Sequence, residues 1–172
     1  MTESTPYFLS EAVSDPEFIQ AEAFDTVVVK FTDFPMKDMP AAFDSTFGTV
    51  FPVLGEQGIT AIGPAFALYH RMPTDTATFE VGIPVDQPLA NPFTTDTGVV
   101  IEPSRLPAGD VARVSYFGPY NALPEGWGTF MYALSTAGKE PDLPFWELYV
   151  TEPSPDIDPA TLRTDLVVRI KG

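Results

Sequence analysis

Hydrophobic positions along the chain alternate between a strand period and a helix period. Phe24 to Phe31, centred on Val27, Val28 and Val29, is a β-branched run that predicts a strand. Pro35 and Pro40 then break extended structure. Phe43, Phe47, Val50 and Leu54 follow at helical spacing and share one face. Asp38 is the expected N-cap of this helix, Pro52 an expected kink or distorted last turn, and Gly55 and Gly58 the expected stop. Ala65 to Met72 and Thr76 to Val85 predict two further strands. In the second, Phe79, Val81, Ile83 and Val85 share a face, which leaves Glu80 and Gly82 on the other and Glu80 expected in solvent. Residues 86–98 are rich in turn formers and read as a connector.

The same order then recurs. Val111 to Phe117 predicts a strand, and Leu123, Trp127, Phe130, Met131 and Leu134 form an apolar stripe at helical spacing. Asn121 or a neighbour is the expected cap and Gly138 the terminator. Phe145 to Thr151 and Thr164 to Ile170 predict the last strands, with one short helical turn expected around Asp158-Pro159 and Thr161. Segments also match in residue type. Lys30-Phe31-Thr32-Asp33-Phe34-Pro35 answers Arg113-Val114-Ser115-Tyr116-Phe117-Gly118, and Phe66-Ala67-Leu68-Tyr69 answers Trp146-Glu147-Leu148-Tyr149. A period of roughly 80 residues is too long for a solenoid and reads as duplication of a small α+β unit. The expected architecture is therefore α+β: two β-α-β-β units, about 23–85 and 98–171, joined as a pseudo-twofold antiparallel sheet with a central groove. Residues 1–22 read as a polar lead-in, because Ser4, Thr5, Pro6, Glu11, Ser14, Asp15, Pro16 and Glu17 interrupt the apolar positions.

Charge and composition remove several functions. The 172 residues carry 24 acids against 9 bases, a net charge of −15, so a phosphate backbone is a poor partner and no direct nucleic-acid binding is expected. With Cys 0 and His 1, thiolate chemistry and zinc ribbons are excluded, and a histidine-based metal site or triad is disfavoured; no metal or cofactor is expected. The opening residues show neither a basic start nor an apolar core, and no apolar run approaches the ~18 residues of a membrane span, so a cytoplasmic chain with no membrane partner is expected. Phosphate-cradling glycine motifs and the Gly-x-Ser-x-Gly elbow are absent, and no helix-turn-helix can be drawn before residue 23.

Glu147 is the candidate for chemistry. It interrupts the apolar strand Phe145-Trp146-Glu147-Leu148-Tyr149-Val150, where alternation places it beside Phe145 and Tyr149. An acid on an aromatic floor attracts a lipophilic cation, and ring faces add cation–π attraction of about 2 kcal/mol when desolvated. The plain alternative is a solvent-facing Glu on an open sheet face. Tyr69 and Tyr149 hold matching places in the two halves, as walls of one groove or as ordinary strand tyrosines. Tyr116 and Tyr120 flank the Gly118-Pro119 turn and are further candidates, and Trp127 is either a groove residue or core packing. His70 reads as a strand-end histidine rather than a ligand.

These motifs together resemble the GyrI-like effector-binding domains, the small-molecule domains of bacterial multidrug-responsive and AraC-type regulators, which also occur alone. The resemblance rests on Gly63-Pro64-Ala65-Phe66-Ala67-Leu68-Tyr69-His70, Val114-Ser115-Tyr116-Phe117-Gly118-Pro119-Tyr120, Trp146-Glu147-Leu148-Tyr149-Val150 and Asp158-Pro159-x-x-Leu162-Arg163-Thr164-Asp165-Leu166. It implies an SHS2-like duplicated fold with a ligand groove, and an acid on the penultimate strand, matched here by Glu147, that serves cationic aromatic ligands. On that basis the ligand set is expected to be Glu147, Tyr149, Tyr69, Tyr116, Tyr120 and Trp127, and the function binding of a lipophilic, cationic or aromatic small molecule by a stand-alone sensor or sequestering protein. Some stand-alone members resemble hydrolases of cyclopropane-bearing compounds, for which Glu147 would be acid or base and Trp127 or a groove tyrosine its partner; ester substrates are a further hydrolase expectation. A third expectation is a gyrase-type inhibitor whose acidic surface meets a basic protein, or a regulator as partner.

Overall fold

The computed structural model describes residues 6–151 and 155–171. Ser4 and Thr5 of the expected lead-in lie outside the described residues. Strands β1 (Glu17–Ala21) and β2 (Phe24–Pro35) precede helix α1 (Met39–Gln57); β3 (Ala65–Tyr69), β4 (Thr76–Pro84), β5 (Phe93–Thr94), β6 (Val100–Leu106) and β7 (Gly109–Phe117) follow, then helix α2 (Leu123–Thr136), β8 (Pro141–Tyr149) and β9 (Arg163–Ile170). They form a 9-stranded sheet in the order β1-β7-β9-β8-β3-β4-β2-β6-β5.

The duplication is visible in that order. β2-α1-β3-β4 and β7-α2-β8-β9 are two copies of one unit, and their second strands, β3 and β8, meet at the centre of the sheet. The central pair is antiparallel, with Ala67 opposite Glu147 and Tyr69 opposite Phe145. Both helices cover one face of the sheet. Beneath them Ala67, Tyr69, Phe79, Phe130, Phe145 and Leu166 belong to one buried cluster, continued by Val27, Val29, Val50 and Leu54 over the first half. The opposite face buries Phe66, Leu68, Trp146 and Leu148 under Tyr7 and Phe8 of the N-terminal segment. The sheet pinches between β4 and β2: a Cβ at Gly82 would stand 2.1 Å from the Val27 carbonyl oxygen, so only glycine fits there.

Several local expectations change. α1 includes Pro52, runs to Gln57 and ends at Gly58, the expected stop. Asp38 does occupy the N-cap position, but its side chain makes no capping hydrogen bond; α2 is preceded by Ala122 in that position rather than by Asn121. Proline in the first turn of each helix supplies the pre-set φ that a capping side chain would otherwise help impose. The short turn near Asp158 forms as expected at Pro159–Thr161, with the Asp158 carboxylate accepting from the Ala160 N–H at 3.0 Å. β6 goes beyond the sequence reading: despite Pro103 it pairs with β2, Val28 opposite Glu102. The N-terminal segment differs too. Rather than leading in from outside, it buries Tyr7 and Phe8, and β1 pairs with β7 from Glu17↔Arg113 to Ala21↔Gly109. Among the described residues no helix is long and apolar enough to cross a membrane.

Candidate functional site

Strand alternation points Phe145, Glu147 and Tyr149 toward the helices, and the central position of β8 buries Phe145 and Glu147 and partly buries Tyr149 beneath them. Glu147 is 7% exposed. Trp127, one turn into α2, donates its indole N–H to Glu147 Oε2 at 2.7 Å, and the Tyr149 hydroxyl donates to Oε1 at 2.7 Å. Rings close the surroundings. Tyr69 stacks on Phe145 at 4.9 Å, Phe145 meets Trp127 edge-on at 4.9 Å, and Tyr149 is met edge-on by Phe43 of α1 at 5.4 Å and by Tyr120 at 5.7 Å.

Among the described residues no ion pair includes Glu147. Burial therefore pushes its pKa above the usual carboxylate value, and the hydrogen bonds from Trp127 and Tyr149 pull it partly back. The same burial, followed by the Glu147 charge, raises the phenols of Tyr149, Tyr69 and Tyr120, which stay neutral donors at ordinary pH.

Five of the six expected ligand residues, Glu147, Tyr149, Tyr69, Tyr120 and Trp127, thus meet at the seam of the two halves. Tyr116 does not reach the carboxylate: its hydroxyl donates to the Pro119 carbonyl at 3.2 Å. Its ring fills the helix approach, where a Cβ at Gly118, whose φ is 154°, would stand 2.6 Å from the phenolic oxygen. Phe43 and Phe145 belong to the ring of aromatics and were not singled out by the sequence. Their signal lay in alternation for Phe145, and for Phe43 in the matching helix starts Met39-Pro40 and Leu123-Pro124, which make Phe43 the counterpart of Trp127.

At the seam this ring cover lies over Glu147, which is 7% exposed. Surface hollows of about 300 Å³ and 360 Å³ lie elsewhere, the first beside Phe31, Thr46 and Glu102 and the second beside Asp25, Ser104 and Arg105, and Glu147 lines neither. Tyr120, 37% exposed, stands at the rim of the ring cluster.

Glu80 is a correction. It is 5% exposed rather than solvated, and accepts from the Ser104 hydroxyl at 2.5 Å while His70 Nε2 lies 2.5 Å from its other oxygen. Part of the reason is β6, the strand beyond β2 in the sheet, which brings the Ser104 hydroxyl to a carboxylate expected in solvent. His70 stands at the end of β3, but paired rather than alone.

Fold and site together define a duplicated α+β domain with a carboxylate enclosed at the seam of its halves. The chain belongs to the GyrI-like family: residues 14–171 match the GyrI-like small molecule binding domain. No curated protein matches it. Among solved structures, the EcmrR chain of an EcmrR–DNA complex aligns with TM-score 0.68 and 17% identity over 91% of this chain, which spans only 57% of that one. A hydrolase from Listeria innocua aligns with TM-score 0.64 and 14% identity over 95% of each chain. SAV2435 bound to tetraphenylphosphonium aligns with TM-score 0.61 and 12% identity, covering 92% of this chain and 94% of that one. At these identities the likeness is one of fold.

Proposed function

We propose that the chain binds a lipophilic organic cation with aromatic rings at the seam between its halves, as a cytoplasmic sensor or sequestering protein. The observation that carries this reading is a buried carboxylate that, among the described residues, is held by two neutral donors, Trp127 and Tyr149, inside a bed of rings. Such a group is a counter-charge without a counter-ion, and a cation with an apolar surface supplies both what the charge and what the rings lack. SAV2435, a neighbour in fold, holds a cation of this kind. Phe43 and Tyr120 meet Tyr149 edge-on at 5.4 Å and 5.7 Å, and these two rings can part while Trp127 and Tyr149 keep their hydrogen bonds to Glu147.

The test is a dye-displacement screen with wild type and Glu147→Gln in parallel. Loss of the charge weakens cationic dyes about tenfold or more, by the loss of one desolvated charge pair, and leaves neutral dyes of the same size nearly unchanged. Equal loss for both classes contradicts the charge argument. The sign of the pH effect is fixed as well. A cation favours ionised Glu147, whose pKa is raised in the free protein, so affinity for cations climbs as pH rises through that raised value.

The raised pKa also favours a second reading, hydrolysis with Glu147 as general acid or base and Trp127 or Tyr149 orienting it. There Glu147→Gln abolishes product formation while binding is nearly retained. A wild-type protein inert toward cyclopropane and ester substrates removes that reading.

A further inference from the structure

The duplication allows the site to be compared with itself. Glu147 lies on the second strand of the second half, and the matching residue of the first, in Phe66-Ala67-Leu68-Tyr69 against Trp146-Glu147-Leu148-Tyr149, is Ala67. The two are direct neighbours, because the central strands pair with Ala67 opposite Glu147. Both are buried, Ala67 at 0% exposure and Glu147 at 7%. The helices obey the same correspondence. Each follows a 3-10 turn, Met36–Asp38 before α1 and Tyr120–Ala122 before α2. Matching Met39-Pro40 to Leu123-Pro124 then pairs Phe43 with Trp127 and Met36 with Tyr120.

Every one of these exchanges removes polarity from the first half. A carboxylate becomes a methyl, an indole N–H donor becomes a bare ring, and a phenol becomes a thioether. Only Tyr69, the counterpart of Tyr149, keeps its hydroxyl. Both donors that hold the carboxylate come from the second half. The seam is therefore one anionic half-site set against one apolar half-site, with the boundary between two facing residues whose Cβ atoms in such a pair stand about 5 Å apart.

We infer that Ala67, the neutral counterpart of Glu147, restricts the site to ligands of a single positive charge and seats their apolar rings on the first half. This rests on the reading of Glu147 as the seat of a cation. A second charge carried rigidly across the seam would lie over Ala67, Phe43 and Met36, desolvated and without a counter-ion, and binding would bear that penalty. A second carboxylate at position 67 would change the accounting, because two facing acids ionise together only when two cations are present.

The experiment uses two rigid ions of the same two-ring outline, methylphenylpyridinium with one charge and dimethylbipyridinium with two. They are titrated calorimetrically into the full chain at about 0.15 M salt, where the general attraction of an acidic surface is screened. Wild type binds the monocation at least about tenfold more tightly than the dication, the cost of one buried unpaired charge. Ala67→Glu narrows or reverses that ratio. Should that variant fail to fold, Ala67→Val carries the test: it weakens methylphenylpyridinium about tenfold by filling the ring seat, and changes tetramethylammonium, which needs only the charge, less than about threefold. Equal affinity of wild type for the two ions, with both lost in Glu147→Gln, overturns the inference and leaves the cation reading standing. So does an Ala67→Val protein that binds the two-ring monocation as wild type does. If wild type binds no aromatic cation at all, the cation reading fails and takes this inference with it.

Discussion

At the scale of single residues, the energetics turn on Glu147. Its two hydrogen bonds come from neutral groups and offset part of the cost of burying a charge, with burial the larger effect. The consequence for stability has a definite sign. The native state holds the Glu147 proton more tightly than the unfolded chain, so the contribution of this residue is fully present below the ordinary carboxylate pKa and is lost as pH rises through the raised one. Thermal unfolding of Glu147→Gln therefore tracks wild type at acid pH and exceeds it at neutral and alkaline pH. A variant less stable than wild type at pH 8 would show that the ionised carboxylate is well compensated in the free protein. Glu80 is the contrasting case: about as buried, it has the Ser104 hydroxyl and the His70 imidazole at hydrogen-bond distance. Ser104→Ala leaves one oxygen without its donor and lowers stability by about 1–3 kcal/mol in a denaturant titration, without altering cation binding.

At the scale of elements, the N-terminal segment is tied down by buried charge. Arg113, 1% exposed, donates to Asp165 at 2.8 Å, to the Glu11 carbonyl at 3.1 Å and to Glu17 at 3.3 Å. Arg163 donates to Asp165 and also to the Ser10 carbonyl at 2.9 Å. The core adds to this grip, since the Trp146 indole donates to the Tyr7 hydroxyl at 3.1 Å. Arg113→Ala leaves Asp165 buried with Arg163 alone and costs about 3–5 kcal/mol. Hydrogen exchange then finds the amides of β1 opening ahead of the central strands; uniform protection across the sheet would contradict this. These contacts explain what the sequence hid. Arg113 reads as one polar residue in a strand, and its value depends on carbonyls a hundred positions away. β6 was hidden because Pro103, Ser104 and Arg105 lack strand character; the two-residue β5 pairs only with Val100 and Ile101, so past them the outer side of β6 is a sheet edge, where such residues are tolerated. The burial of Glu80 was hidden with it. The two helices and the central strands were legible, since their apolar periods are long and occur twice. Glu147 was legible because one acid in an apolar strand needs a reason, whereas Phe43 needed the two helices to be aligned with each other.

At the scale of the whole molecule, the −15 charge surrounds a site that holds one acid. Such a field draws cations to the surface before any specific contact forms. The association rate of a cationic dye accordingly falls about tenfold between low and high salt while its dissociation rate is little changed, and a neutral dye shows no such slope. A salt-independent association rate would mean that the acidic surface plays no part in capture. The pseudo-twofold arrangement adds the second global property. It places the seam of two similar halves where neither half alone could enclose a ligand, and it lets one position differ, Glu147 against Ala67, without disturbing the sheet around it. The central claim, that Glu147 is the counter-charge for a bound cation, is tested most directly by counting protons. Calorimetric titration of tetraphenylphosphonium at about pH 5, repeated in buffers of different ionisation enthalpy, measures proton release on binding. The account predicts release from wild type and none from Glu147→Gln, whose affinity is also lower; binding of equal strength in both proteins, with no proton released from either, would contradict it.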